Sequence, residues 1–456
     1  MAQTLPSPLA PKTTRQYLNQ IPGDLKAPIL GDTLGFLRRP VALFEEKRRQ
    51  YGDVFKVRLF GQTVVFLIGT EANKFLLIEQ AKYLSSQKGW ENIDALFHDG
   101  LMLKDGANHQ HHRSIMQSAF RKESLKGYMA LMMPKIAAFL AQWQGRKQLT
   151  VFPEMKKLTL FLAGKVFFGL DFSEDLAKVN QAIIRVVKAS TALLPFKIPF
   201  TTYWYGIQGR KVLEQYFQRI LAERRQQPTS DILGELCLAR NEEGAQLSDE
   251  DIINHLIFLL MAAHDTTAST LTSLFYELAA HPEWQEKLRE ESIALAQTGE
   301  MRFERLAELK YLDLAIKETL RLHTPLIMIP RKTTQTLEFG AYTLPPDTAL
   351  SILIHHHHYE GQIFEQAQQF DPMRFAEERA EHKKCPHAYV PFGGGKHHCI
   401  GYSFAEMQIK LVMHQILLYY KWTIAPGYQM VYRHIPIQEP KDGLPVMLSA
   451  IEQPAG

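Results

Sequence analysis

Cys399 stands in the run Pro391-Phe392-Gly393-Gly394-Gly395-Lys396-His397-His398-Cys399-Ile400-Gly401. Three consecutive glycines lift the steric limits on φ and let backbone amides approach one atom closely. The apolar stretch after Ile400 predicts a helix, so the sulfur sits near a helix start, where amide N–H groups stabilise an anion. Such a thiolate is suited to holding a metal. A buried structural thiol and a phosphate-binding turn are the bland alternatives. A nucleophilic cysteine paired with His397 or His398 is disfavoured, because adjacent residues on a turn seldom face each other. Zinc needs more clustered ligands, and Cys237 and Cys385 are not at zinc-site spacing from Cys399.

A second chemical pair is Asp265-Thr266, within Ala262-Ala263-His264-Asp265-Thr266-Thr267. Asp and Thr are poor helix-interior residues, and hydroxyls there bond back onto the helix and bend it. A carboxylate beside an alcohol in the middle of an apolar helix asks for a function. A third is Glu318 and Arg321, three apart and so on one helix face. Alone, this pair is as common as any solvated surface contact. The internal tract His355 to His358 looks like a metal site, but it follows an apolar strand. In extended alternation its imidazoles point to opposite faces, which predicts a structural or surface role.

The elements that must position these residues are mostly helical. A capping-box start at Ser248-Asp249-Glu250-Asp251 opens a helix predicted to run to Ala280, stopped by His281-Pro282. It would be roughly 50 Å long at about 1.5 Å per residue. Further helices are predicted over Leu306 to His323 and Ile400 to about Tyr420. Val54 to Ile68 reads as a hairpin turning at Gly61-Gln62. Ile327–Ile329 and Ala349–Ile354 read as strands. An irregular stretch from Glu360 to Val390 leads into the cysteine loop.

Length and composition bound the rest. With 456 residues, 46% of them hydrophobic, the chain can bury a large core. No Gly/Ser linker or repeat divides it, so it reads as a polar N-terminal extension over 1–20 and a single domain over 21–456. Three cysteines in this length, none at a disulfide-like spacing, point to a reducing compartment. The net charge of +4 is mild and no dense basic block occurs, so nucleic acid is not an expected partner. No signal peptide and no run of about 18 apolar residues is present. The expectation is a soluble cytoplasmic protein without a transmembrane anchor.

The spacing Phe-x-x-Gly-x-x-x-Cys-x-Gly resembles the haem-binding loop of the cytochrome P-450 family. The other landmarks follow in that family's order. Phe370-Asp371-Pro372-Met373-Arg374-Phe375 is similar to its aromatic-Pro-x-Arg-Phe element, and Ala262 to Thr267 to its oxygen-activation motif. Ala263 departs from the pattern, since the family usually has glycine there. The resemblance implies a mainly α fold with a minor β portion, haem b lying between a long central helix and the cysteine loop, and Cys399 as axial ligand. It implies Phe392 and Gly401 in the haem loop, and Ala262 on the haem-facing side of the helix. Asp265 would relay protons and Thr266 would hydrogen-bond dioxygen. His109, Arg113, Arg331 and His397 would bind the propionates. Glu318, Arg321 and Arg374 would form a buried triad beneath the loop.

The implied activity is insertion of one oxygen atom of O2 into a lipophilic small molecule, such as a retinoid, another isoprenoid or a fatty acid. Trp90, Phe97, Leu101, Leu326, Ile327, Met328 and Ile329 would line the substrate pocket. No flavin or nicotinamide fingerprint occurs, so electrons would come from a separate ferredoxin or flavodoxin-type donor with its reductase. Arg121, Lys122 and Lys126 are candidates to dock an acidic donor. The pattern is most similar to the branch containing cyanobacterial and animal retinoic acid hydroxylases. The rival readings are a peroxide-driven or redox-neutral haem enzyme, a haem-binding sensor without turnover, and a non-haem cysteine hydrolase.

Overall fold

The hairpin predicted at Gly61 forms the edge of a five-stranded sheet. Strand Val54–Leu59 pairs antiparallel with Gln62–Leu67 in one register from Val54↔Leu67 to Leu59↔Gln62. Phe60 and Gly61 at the turn both have positive φ, 50° and 80°, the signature of a tight two-residue turn whose twist suits the strands. The next strand, Ala349–Leu353, runs parallel to Gln62–Leu67. Met328–Thr333 and the short Leu84–Ser85 complete the sheet. A computed structural model of the chain supplies this architecture and describes residues 14–27, 30–169, 174–192, 196–241 and 243–451.

The remainder is helix-dominated, at 59% helix and 11% strand overall. Asp249–Ala280 is one continuous α-helix of 32 residues. Ser248 caps it, its Oγ accepting from the Asp251 N–H at 3.1 Å and donating to the Asp251 carboxylate at 2.6 Å. Almost every residue between Ile252 and Phe275 is buried, and each leucine-sized side chain so removed from water contributes about 1.5–3 kcal/mol. The strand Tyr420–Thr423 is tied to this helix. Trp422 stacks on Phe275 with ring centroids 4.4 Å apart and donates its indole N–H to the Phe275 carbonyl. Buried Arg289 has its charge met by the carbonyls of Leu417 and Tyr420 and by the Glu286 carboxylate.

Three expected elements differ in detail. The helix expected over Leu306 to His323 is split. Phe303–Glu308 is a 3-10 turn, Leu309 leaves helical geometry at ψ 67°, and the α-helix proper is Lys310–Leu322. The histidine tract is not extended: Ile354–His358 is a single α-turn. His356, His357 and His358 are buried, and each finds a structural use or none. His358 contacts the Arg321 carbonyl through Nδ1 and accepts the Val390 N–H at Nε2, while His357 Nε2 accepts from Gly69. Among the described residues no cluster suited to a metal ion occurs. Of the polar stretch 1–20, residues 14–20 form a helix whose Leu18 packs against the sheet and whose Leu18 carbonyl accepts from Lys56 Nζ at 2.6 Å. The first 13 residues lie outside the described ones. No helix among the described residues is long and apolar enough to cross a membrane.

Candidate active site

The cysteine loop is held open by backbone geometry that only glycine takes easily. Gly393 and Gly395 have φ of 70° and 60°. A Cβ on Gly395 would lie 2.1 Å from the Leu77 carbonyl oxygen, so the loop passes directly over that backbone. The Cys399 N–H donates to the Phe392 carbonyl at 3.0 Å, closing the loop. The half-buried Phe392 ring lies edge-on to Tyr402, 4.8 Å away. A Cβ on Gly401 would be 4.0 Å from both the Cys399 sulfur and the Phe120 ring. Cys399 is an exposed residue. Burial nevertheless pushes the thiol pKa up, and the Gly401 N–H and the Arg113 charge only partly oppose it.

Four residues predicted to bind the propionates gather near the cysteine loop. Helix Gly106–Met116 carries His109 and Arg113 on one face. His109 stacks on His397 from the cysteine loop, with ring centroids 3.9 Å apart. Arg331 lies in strand Met328–Thr333, against which Gly89 packs so tightly that a Cβ there would meet the Arg331 Cα at 2.7 Å. Arg331 is buried and donates only to the adjacent Pro330 carbonyl; among the described residues it has no carboxylate partner. Burial lowers its pKa to about 10, with the charge of Asp105, which makes no direct pair with it, opposing the shift, so it stays charged at neutral pH. The two imidazoles differ from the expected cations. Burial first, then the Arg113 and Arg331 charges, hold His109 near 4 and His397 near 3. Both are neutral hydrogen-bonding groups at neutral pH.

The central helix presents a narrow accessible stripe. Between Ile252 and Phe275 only Phe258, Met261, Ala262, Ala263 and Thr266 are not fully buried. Phe258, Ala262 and Thr266 follow at i, i+4 and i+8, one face of the helix. A Cβ on Gly100 would lie 2.8 Å from the Phe258 Cβ, which fixes the Trp90 to Leu103 segment against this stripe. The Thr266 hydroxyl donates to the Ala262 carbonyl at 2.6 Å, leaving its oxygen free to accept. Asp265 points elsewhere and is not open to bulk water. It is 5% exposed and engaged by Lys156 Nζ at 2.7 Å and His264 Nδ1 at 3.0 Å. Burial alone would raise its pKa, but the His264 hydrogen bond and the Lys156 charge bring it down to about 2. Lys156 was not foreseen from the sequence: it lies 109 positions from Asp265 on another helix, and no local pattern marks it.

Beneath the loop the three-residue network is fully formed. Glu318 receives two bonds from Arg321, at 2.7 and 2.8 Å, and one from Arg374 at 2.9 Å, all three side chains being 0% exposed. Arg321 also donates to the carbonyls of His358, Ala367 and Gln369, pinning the irregular stretch. Glu381, absent from the sequence reading, is a fourth member, taking Arg374 at 2.7 Å and Arg379 at 2.5 Å.

The seven expected pocket residues do not form one wall. Phe97 and Leu101 are buried in the helical core, with Trp90 packed on it. Ile327 is buried instead among Phe36, Phe44 and Phe66 in the core behind the sheet, and Met328 packs against that same cluster. Strand geometry turns neighbouring side chains to opposite faces, so a run of four cannot share one surface. Ile329 does reach the cysteine loop, its Cδ1 3.7 Å from where a Gly393 Cβ would stand. Leu326 is half-buried. Of the candidate donor-docking cations, Lys126 is paired with Glu304 at 2.5 Å, while Arg121 and Lys122 are exposed.

An exposed cysteine on a glycine-built loop, with Arg113 and the buried Arg331 near that loop, is a donor set that fits a metal-centred group with an anionic edge. The cytochrome P-450 family profile matches residues 21–440, and the chain belongs to that family of haem-thiolate monooxygenases, which are oxidoreductases. It is 37% identical over 442 residues to cytochrome P-450 136 of Mycobacterium tuberculosis, covering 94% of this chain and 89% of that one. It is 30% identical to the taxane 13-alpha-hydroxylase of Taxus cuspidata, covering 94% and 91%. A solved structure of cyanobacterial CYP120A1 with retinoic acid bound matches with a TM-score of 0.86 at 29% identity, covering 94% of this chain and 99% of that one.

Proposed function

We propose that the chain holds haem b through the Cys399 sulfur and hydroxylates a lipophilic isoprenoid, a retinoid first among them, with electrons from a separate ferredoxin or flavodoxin-type donor. The observation that carries this reading is Arg331, a buried guanidinium without a carboxylate partner whose charge reaches His397 in the cysteine loop. A buried cation is costly unless an anion meets it, and haem propionates are that anion. Arg113 and the neutral imidazoles of His109 and His397 add donors to the same edge. The bound haem supplies an iron that activates dioxygen for transfer of one oxygen atom.

The residues of the chain do the rest. The Phe258–Ala262–Thr266 stripe would face the bound haem, and the Thr266 oxygen, its proton given to the Ala262 carbonyl, would accept a hydrogen bond from a small molecule or water held there. Asp265 is held as a carboxylate by Lys156 and His264, so it passes protons only when that pair opens. Glu318, Arg321, Arg374 and Glu381 fix the cysteine loop. The substrate class is supported by the relatives, since retinoic acid and a taxane are both isoprenoid molecules. Phe258 and Ile329, apolar and only half-buried, suit such a ligand, which is held by buried area.

The test is the optical spectrum of the reduced, carbon monoxide-treated protein. A strongly red-shifted Soret band in the wild type, lost in Cys399→Ser, is the expected result. A haem-free protein, or an unchanged band in the variant, overturns the ligand assignment. Turnover of retinoic acid with peroxide but none with any reductase overturns the electron-donor part.

A further inference from the structure

Away from the cysteine loop, three helices leave a cavity of about 260 Å³ between them. Helix Lys122–Ala141 brings Met133 to it, helix Pro282–Gln297 brings Leu295, and helix Tyr402–Tyr419 brings His414, Gln415 and Leu418. Met301 adds a second thioether from the segment after Gly299. Ala137 and Ala296 are exposed and small, which leaves the mouth open. An apolar cavity of about 150 Å³ takes benzene, so this one has room for a ring with alkyl substituents. It falls short of the roughly 300–1,000 Å³ of a pocket for a drug-sized ligand.

Two neighbouring polar side chains on its wall are unmet. His414 is 3% exposed, and its Nδ1 has no hydrogen-bond partner. Gln415 is 7% exposed; its Nε2 meets only the Met133 sulfur, a weak acceptor, at 3.5 Å, and its Oε1 has no partner. Buried polar groups in native proteins are nearly always paired, so two adjacent orphans on one apolar cavity point to a ligand that enters it. Water is poorly held there, because it needs two to four polar partners and the surrounding walls are thioether, leucine and alanine.

The charges decide the kind of ligand. Burial first, and then the Arg305 charge, hold the His414 pKa near 4, so the imidazole is neutral at neutral pH. Glu300 is the one ionised side chain among the described residues lining the cavity. Arg305 lies against the same segment, donating to the Gly299 and Glu300 carbonyls at 2.8 and 3.2 Å. An anion would meet Glu300 with no lining cation, and a cation would meet the Arg305 charge. A neutral imidazole offers one donor and one acceptor, and an amide oxygen accepts. A hydroxyl, which both donates and accepts, answers both side chains at once.

We propose that this cavity is a second small-molecule site, sharing no residue with the cysteine-loop site, which takes an uncharged apolar molecule bearing a hydroxyl, of the size of a substituted phenol. Its body is held by area buried among Met133, Leu295, Met301 and Leu418, and its hydroxyl by His414 and Gln415.

The test uses reduced, carbon monoxide-bound protein, which is diamagnetic, carrying methionine labelled with carbon-13 in the methyl group. The Met133 and Met301 signals are assigned with Met133→Leu and Met301→Leu. They are titrated with thymol and with p-cymene, the same skeleton without the hydroxyl. Both signals should move saturably with thymol, and p-cymene should bind about five- to tenfold more weakly, as for loss of one neutral hydrogen bond. That ratio should fall to about one in His414→Leu and shrink in Gln415→Leu. Both variants should bind p-cymene at least as well as the wild type, which shows that the cavity is intact. 4-Isopropylbenzoate and 4-isopropylbenzylamine should bind more weakly than thymol. The haem absorption recorded alongside identifies any occupancy of the cleft, which shifts the Soret band and leaves these methyl signals still. Methyl signals that thymol does not move, equal affinity for thymol and p-cymene, a preference that survives both substitutions, or tighter binding of either charged probe overturns the proposal.

Discussion

At the residue scale two arginines carry opposite lessons. Arg321 is fully satisfied: Glu318 takes it bidentately and three carbonyls take its remaining donors. Removing one partner of such a buried network leaves Glu318 short of charge and costs about 3–5 kcal/mol. Arg321→Ala is therefore expected to lower the urea midpoint sharply and to be purified without haem. Normal haem content at an unshifted midpoint would remove Arg321 from the bracing role. Arg331 is the reverse case, a buried cation meeting only a backbone carbonyl. Replacing it with a neutral side chain should relieve the haem-free protein and handicap the loaded one. Arg331→Gln is expected to raise the melting temperature of apoprotein while haem transfers faster to an apomyoglobin acceptor. Movement of both quantities in the same direction would mean that Arg331 serves the fold and not the cofactor.

At the scale of elements, the cysteine loop depends on two glycines that are not equivalent. Gly395 has φ of 60°, and a Cβ there would overlap the Leu77 carbonyl oxygen at 2.1 Å; Gly394 would meet only the Leu77 side chain, at 3.3 Å and beyond. Backbone cannot yield as a leucine side chain can, and left-handed φ adds about 1–2 kcal/mol for a non-glycine residue. Gly395→Ala is expected to displace the loop and lose haem, whereas Gly394→Ala keeps haem with a shift of a few degrees in melting temperature. Equal behaviour of the two would show that the loop is not anchored on Leu77. The elements also show where a sequence can be read. The central helix and the hairpin were legible because their signals are local: a cap at Ser248, a stop at Pro282, a turn at Gly61. The Glu318–Arg321–Arg374 network was legible because its members sit in spaced motifs. Lys156 was not, since it meets Asp265 only through tertiary packing, and Glu381 was not, although Arg379 and Arg374 are near in sequence, because the irregular stretch that brings them together has no periodic signal. The histidine tract was misread because its conformation is set by remote groups, the Arg321 carbonyl and the Val390 N–H, and not by the strand before it.

At the scale of the whole molecule the unusual feature is how many imidazoles the fold buries away from the cofactor cleft. Burial is the first cause that holds His255, His357 and His358 near a pKa of 3 and His356 and His414 near 4. All five are neutral in the folded protein at neutral pH and regain the ordinary value near 6.5 when it unfolds. Below pH 6.5 the unfolded chain therefore binds protons that the folded one refuses. The stabilisation is whole above that pH and drains as pH falls toward 4 and 3. Each imidazole contributes up to about 1.4 kcal/mol per pH unit, so five together could remove a typical stability of about 5–15 kcal/mol within one or two units. His281 works the other way, since its hydrogen bond to Glu277 raises its pKa, but it is one group against five. The carboxylates of Asp265, Glu277 and Asp313, held near 2, lose their stabilisation only lower down, between about pH 4 and 2. Acid unfolding should thus begin between pH 6 and 5, with uptake of several protons per molecule, and not in the carboxylate range. Urea midpoints measured from pH 7.5 to 4.5 test this, and His414→Phe should flatten the dependence by about one proton. A stability that stays level to pH 5 and falls only below 4 would show that water reaches these imidazoles in the folded state.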